Sequence, residues 1–124
     1  EEVTSATLAQ FAQIAIEFHG LSRVLAPDGH AEIVAGLAKL AATHVPLHVH
    51  GNSYHLPVWI GDLVLPEVLE VTWVRRRDHE GKFVPRTEPF PTDLDRPNLP
   101  DRPDIFLGWT FSHRDGERGA SGPA

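Results

Sequence analysis

No cysteine occurs among the 124 residues. Disulfides, zinc–thiolate centres and cysteine nucleophiles are therefore excluded, and the absence fits a cytoplasmic setting. Methionine is absent too, including at position 1. The chain opens with Glu1-Glu2-Val3 inside a helical pattern, so the expectation is a piece whose N-terminal portion lies elsewhere. No apolar run approaches the roughly 20 residues of a membrane span, and no signal-peptide pattern is present. Neither Gly-x-Gly-x-x-Gly nor a P-loop occurs, nor a Gly-x-Ser-x-Gly elbow. The chain thus shows no glycine-rich loop for a nucleotide cofactor. Positive charge is scarce: 11 Lys and Arg face 17 Asp and Glu, a formal charge of −6. That balance argues against nucleic acid as a partner, which requires a cationic footprint. The basic run Arg75-Arg76-Arg77 is followed by Asp78 and Glu80, and it reads as a solvated strand end.

What is present can build a core. A hydrophobic content of 41% over a length of one ordinary domain permits an independent fold. Residues 2–12 place Val3, Ala6, Leu8, Ala9 and Phe11 at the spacing of a short amphipathic helix. Residues 13–18 predict a strand, with Ile14, Ile16 and Phe18 on one face and Ala15, Glu17 and His19 on the other. A turn at Pro27-Asp28-Gly29 leads into a predicted helix over 29–43, striped by Ile33, Val34, Leu37, Leu40 and Ala41, with Asp28 as N-cap.

Residues 46–51 predict a second strand, alternating Leu47 and Val49 against His48 and His50. Residues 52–66, broken by Pro57, Gly61 and Pro66, read as an irregular insertion. Residues 67–75 carry the strongest strand signal, with Val68, Leu69, Val71, Trp73 and Val74. Strand, helix and strand form a βαβ unit, which predicts parallel first and second strands. The third strand follows without a helix and is expected to pair antiparallel. Six prolines, at 85, 89, 91, 97, 100 and 103, rule out a helix or inner strand there and predict an extended surface strap. Residues 105–111 are apolar enough to anchor its end. The expected division is an α/β unit over 1–111 and a disordered tail over 112–124.

Three features could carry chemistry. His44, His48, His50 and His55 cluster in sequence, and His48 and His50 project from one strand face. They form either a metal-binding pair or the lining of a polar cleft. Glu17 is a carboxylate within an apolar strand, which needs a partner or an opening to water. Ligands of open α/β sheets bind beyond the carboxyl ends of the parallel strands. Those ends carry Glu17 and His19 on one strand and His48, His50 and Asn52 on the other, and Glu17, His19, His48, His50 and Glu70 are expected to gather round one rim. A histidine in such a rim can serve as a general base near neutral pH. Tyr54 and Trp59 either pack the insertion onto the sheet or add an apolar wall to the rim.

These segments also carry a family resemblance. Gln13-Ile14-Ala15-Ile16-Glu17-Phe18-His19-Gly20-Leu21 resembles the fifth-strand region of FkbM-type methyltransferases. Leu47-His48-Val49-His50-Gly51-Asn52 is similar to their sixth-strand region, and Pro66 to Val74 to their last strand. Phe90-Pro91, Leu94-Asp95, Pro97-Asn98 and Pro103-Asp104-Ile105 resemble their C-terminal end. The resemblance spans residues 8–107 in the same order. It implies the C-terminal part of a Rossmann-like class I methyltransferase sheet, whose final antiparallel strand inserts between the two before it. It further implies S-adenosylmethionine as cofactor, held by earlier strands outside this chain, and a small-molecule or glycan acceptor. On that reading Glu17, His19, His48, His50, Asn52 and Tyr54 are the substrate-binding candidates, and no cofactor-binding residue is carried over.

Two other readings stand beside it. One is a small metal-binding protein using His48, His50 and a carboxylate. The other is a non-catalytic interaction module, which associates with a second copy through an unpaired sheet edge.

Overall fold

Period-two patterning fixes the first strand. In β1 (Gln13–His19), Ile14, Ile16 and Phe18 are half-buried, while Gln13, Ala15, Glu17 and His19 are exposed. The computed structural model describes residues 2–113. Upstream, the helix expected over 2–12 shrinks to one turn, α1 (Ser5–Leu8), capped by Thr4 Oγ1, which accepts from Thr7 N at 3.1 Å. Arg75 Nη1 donates to Ala9 O at 3.0 Å and His44 Nε2 donates to Phe11 O at 3.0 Å, which ties this stretch to the ends of the sheet strands.

After β1, Gly20 takes φ of 71°, a left-handed turn suited to glycine. A short 3-10 turn over Leu21–Leu25 follows, and then α2 (Pro27–Ala41). The helix starts earlier than the sequence suggests. Ala26 is the N-cap and Pro27 opens the first turn, where its missing N–H costs nothing. Asp28 is therefore inside that turn, favourably placed at the positive end, and is not the cap. Gly29 is needed for close approach: a Cβ there would lie 2.2 Å from the carbonyl oxygen of Arg23.

The remaining strands are β2 (His44–Gly51), β3 (Val58–Ile60), β4 (Leu63–Leu65) and β5 (Val68–Arg75). The main sheet has the order β1-β5-β2, with β5 antiparallel to both neighbours. β1 and β2 thus run parallel, as the βαβ pattern predicts, but they do not touch. β3 and β4 pair as a separate antiparallel hairpin around Gly61, whose φ is 62°. The insertion expected to be irregular over 52–66 is therefore partly ordered. The architecture is a small α/β protein whose pairing is antiparallel.

One register fault matters. The β2–β5 pairing shifts between Pro46 and His48, leaving Leu47 unpaired and 60% exposed. The expected alternation of Leu47 with Val49 fails because proline has no N–H for the ladder. Val49, Leu69, Val71 and Trp73 form the buried face, with Leu21 and Leu40, and Ile33 and Leu37 of α2 pack against them. The strap over residues 85–104 holds neither helix nor strand apart from a bridge between Phe90 and Gly108, and it is anchored by buried Phe90 and Leu107. Of the tail expected to be disordered, Ser112 and His113 bond through their amides to Trp109 and Arg86. The rest lies outside the described residues. Among the described residues, no helix is long and apolar enough to cross a membrane.

Candidate functional site

Strand alternation turns His48, His50, Glu70 and Thr72 to the sheet face opposite the buried one. Register then aligns them: His48 lies across from Thr72, His50 from Glu70, and Glu17 of β1 from Glu70 on its other side. Together with the strap they line a cavity of about 530 Å³. Glu17, His48, His50 and Glu70 of the expected rim are all in its wall.

The polar contacts are dense. Asn52 Nδ2 donates to Glu70 Oε1 at 3.1 Å and to Glu17 Oε1 at 3.3 Å, bridging the two carboxylates. Glu17 Oε2 holds His19 Nε2 at 2.8 Å, at the exposed edge of the site. His50 stands between two acids, with Nδ1 3.2 Å from Glu70 Oε2 and Nε2 2.8 Å from Asp104 Oδ1. His48 Nε2 meets Asp95 Oδ1 at 2.8 Å. Asp95 is itself fixed by the amide and hydroxyl of Thr92, at 2.6 and 2.9 Å.

Electrostatics follow from these contacts. Burial disfavours the charged form of His50, but hydrogen bonds to Asp104 and Glu70, and their charges, outweigh it and raise its pKa above the ordinary imidazole value. Burial likewise works against the Asp95 carboxylate. The Thr92 amide, His48 and the Thr92 hydroxyl overcome it and lower the pKa below the usual carboxylate value.

Some expected residues lie elsewhere. Tyr54 is 62% exposed and does not line the cavity; its amide donates to Asn52 Oδ1 at 2.9 Å. Trp59 sits exposed on β3. The apolar part of the wall comes from Ala15, Ile16, Val71 and Leu94 instead. His44 is fully buried and serves the fold, with bonds to Phe11 O and Thr43 Oγ1. Among the described residues, no group of three His, Asp or Glu side chains is placed to hold a metal ion. Both ring nitrogens of His50 are already engaged by carboxylates, which weakens the His48/His50 metal pair.

Sequence reasoning missed the strap's contribution as chemistry. Asp95, Arg96 and Asn98 line the cavity, and Asp104 anchors His50. The available signal was the spacing of these polar residues among prolines, in a segment that cannot form a helix or inner strand. No protein-family model matches the chain, nor does any curated protein or solved structure.

Proposed function

We propose that this chain is the acceptor-side part of an S-adenosylmethionine-dependent methyltransferase acting on a small-molecule or glycan acceptor. The observation that carries the reading is the strand order β1-β5-β2 with β5 antiparallel. It is the order that the family resemblance implies for the end of a Rossmann-like class I sheet. The cavity beside it holds three acids, two histidines, an arginine and an amide, a lining suited to a polar, hydroxylated acceptor. On this reading Glu17, in the cavity wall, holds His19 at the exposed rim through the 2.8 Å contact, and His19 takes the proton lost by an acceptor hydroxyl that reaches out of the cavity.

The residues present do not fit the cofactor itself. A cradle for it requires glycines open to a ligand at the cavity, whereas Gly20 and Gly29 are backed by Arg23 and Gly51 by Leu107, Ile105 and Pro66, and Gly36, Gly61 and Gly81, which have open space at Cβ, are not in the cavity wall. The reading therefore places the cofactor outside this chain, and no step is derived through it. β1 has a strand neighbour on one side only among the described residues, and its free edge is where a further strand can be added.

The test is calorimetric titration of S-adenosylmethionine into this chain and into a longer product of the same gene. Binding by the longer product alone supports the reading. Binding by the 124-residue chain with no partner contradicts the placement of the cofactor site.

The free β1 edge also favours a second reading, a non-catalytic module that associates with a second copy edge to edge. Sedimentation separates the two, since a protein that stays monomeric at high concentration does not use that edge for self-association.

A further inference from the structure

Two histidines on one face of β2 fasten the strap to the sheet. His48 holds Asp95 and His50 holds Asp104, each at 2.8 Å. Between those aspartates, Asn98 donates to Glu70 Oε1 at 2.8 Å and accepts from Ser53 N at 3.2 Å. Arg102 donates to the carbonyl of Tyr54 at 2.9 Å. Leu94, Asp95, Arg96 and Asn98 of this segment form one wall of the cavity, so the strap's position sets access to it.

His50 differs from His48 in having both nitrogens engaged. Ionised carboxylates only accept, and neutral imidazole has one N–H and one lone pair. A neutral His50 can therefore satisfy Glu70 or Asp104, but not both. Only the imidazolium donates to the two together. Its side chain is 9% exposed, so water is poorly placed to replace a lost contact.

The charged surroundings point the same way. Glu70 faces His50 from β5 and Asp104 faces it from the strap, while Glu17 of β1 is coupled through Asn52. His48, Asp95 and Arg96 complete the charged wall of the cavity. Discharging His50 leaves Glu70 and Asp104 with no cation between them.

We propose that the strap is a protonation-dependent lid: charged His50 ties Asp104 of the strap to Glu70 of the sheet, and neutral His50 keeps only one of the two acids, so that the strap loosens beside the cavity. The raised pKa of His50 gives the direction. Closure is supported in full below the ordinary imidazole value and is lost as pH rises through the raised one. With one proton linked, the ratio of open to closed strap rises about tenfold per pH unit between those two values and then levels. None of this depends on the methyltransferase reading, and it is measured without a cofactor.

The experiment is a pH titration of the 124-residue chain followed by NMR, reading the His50 ring nitrogens and the backbone amides together. The amides of Asp95, Asn98 and Asp104 are expected to shift with the His50 midpoint, while those of Val71 and Trp73 stay fixed. In Asp104→Asn, the new carboxamide can donate to a neutral ring, so the strap is expected to stay closed throughout. Strap amides that ignore the His50 titration overturn the lid. So does an Asp104→Asn strap that opens at the wild-type midpoint. Sheet amides moving together with the strap overturn it as well, because the event is then unfolding. If Asp104→Asn does not fold, the wild-type titration still decides.

Discussion

His44 Nε2 donates to the carbonyl of Phe11 across 3.0 Å, tying the start of β2 to the segment that leads into β1. A carbonyl only accepts, so this nitrogen carries the proton, and Nδ1 lies 2.8 Å from Thr43 Oγ1. The side chain is 0% exposed. His44→Ala leaves a void where the ring was buried and breaks the tie to Phe11, and is expected to cost about 3 kcal/mol. Urea denaturation checks the magnitude. The cavity network around His50 should stay intact in the variant, because His44 does not contribute to the cavity wall.

Two glycines in α2 should respond oppositely to alanine. At Gly29 a Cβ would meet backbone of Arg23 at 2.2 Å, so the turn before the helix must move. Gly29→Ala is expected to destabilise by about 2 kcal/mol. At Gly36 a Cβ meets nothing within 4 Å, and alanine in an exposed helix interior is favoured by about 0.5–1 kcal/mol. Melting temperatures of the two variants should fall on either side of wild type.

How far the sequence carried this picture depends on how local each signal was. β1, α2 and β5 were legible because their apolar spacing is regular and their ends are punctuated. The β3–β4 hairpin was not, since Pro57, Gly61 and Pro66 read as breakers. In fact Gly61-Asp62 between Val58-Trp59-Ile60 and Leu63-Val64-Leu65 is a two-residue turn between strand-forming triplets. Leu47 was misplaced because a register shift at Pro46 leaves no trace in alternation alone.

Within the site, Glu17, His48, His50 and Glu70 could be grouped because strand order and register follow from a few residues each. Asp95 and Asp104 could not. They reach His48 and His50 from 47 and 54 residues away, along a strap whose path no periodicity encodes.

Asp95 should set part of the acid limit of stability. Its folded pKa is lowered, so its contribution is present above the ordinary carboxylate value, about 3.9. That contribution is lost as pH falls through the lowered value. Asp95→Asn keeps the shape but removes the charge that His48 and the Thr92 amide address. It is expected to cost about 2 kcal/mol at neutral pH. The gap to wild type should narrow as pH falls below the ordinary carboxylate value, where Asp95 of the unfolded chain takes up its proton, and close as pH passes through the lowered one. A gap that persists unchanged in acid would assign the loss to packing instead.

Glu17 gives the sharpest separation of chemistry from stability. Its side chain is 45% exposed, and it holds His19 Nε2 at 2.8 Å with Asn52 on its other oxygen. Glu17→Gln preserves the shape and leaves the core untouched, so unfolding should shift by no more than about 0.5 kcal/mol. In a longer gene product with methyl-transfer activity, the same variant removes the carboxylate that orients the base. Its turnover is expected to fall about 100-fold. Unchanged turnover would remove Glu17 and His19 from the acceptor site and leave the pair as a surface contact.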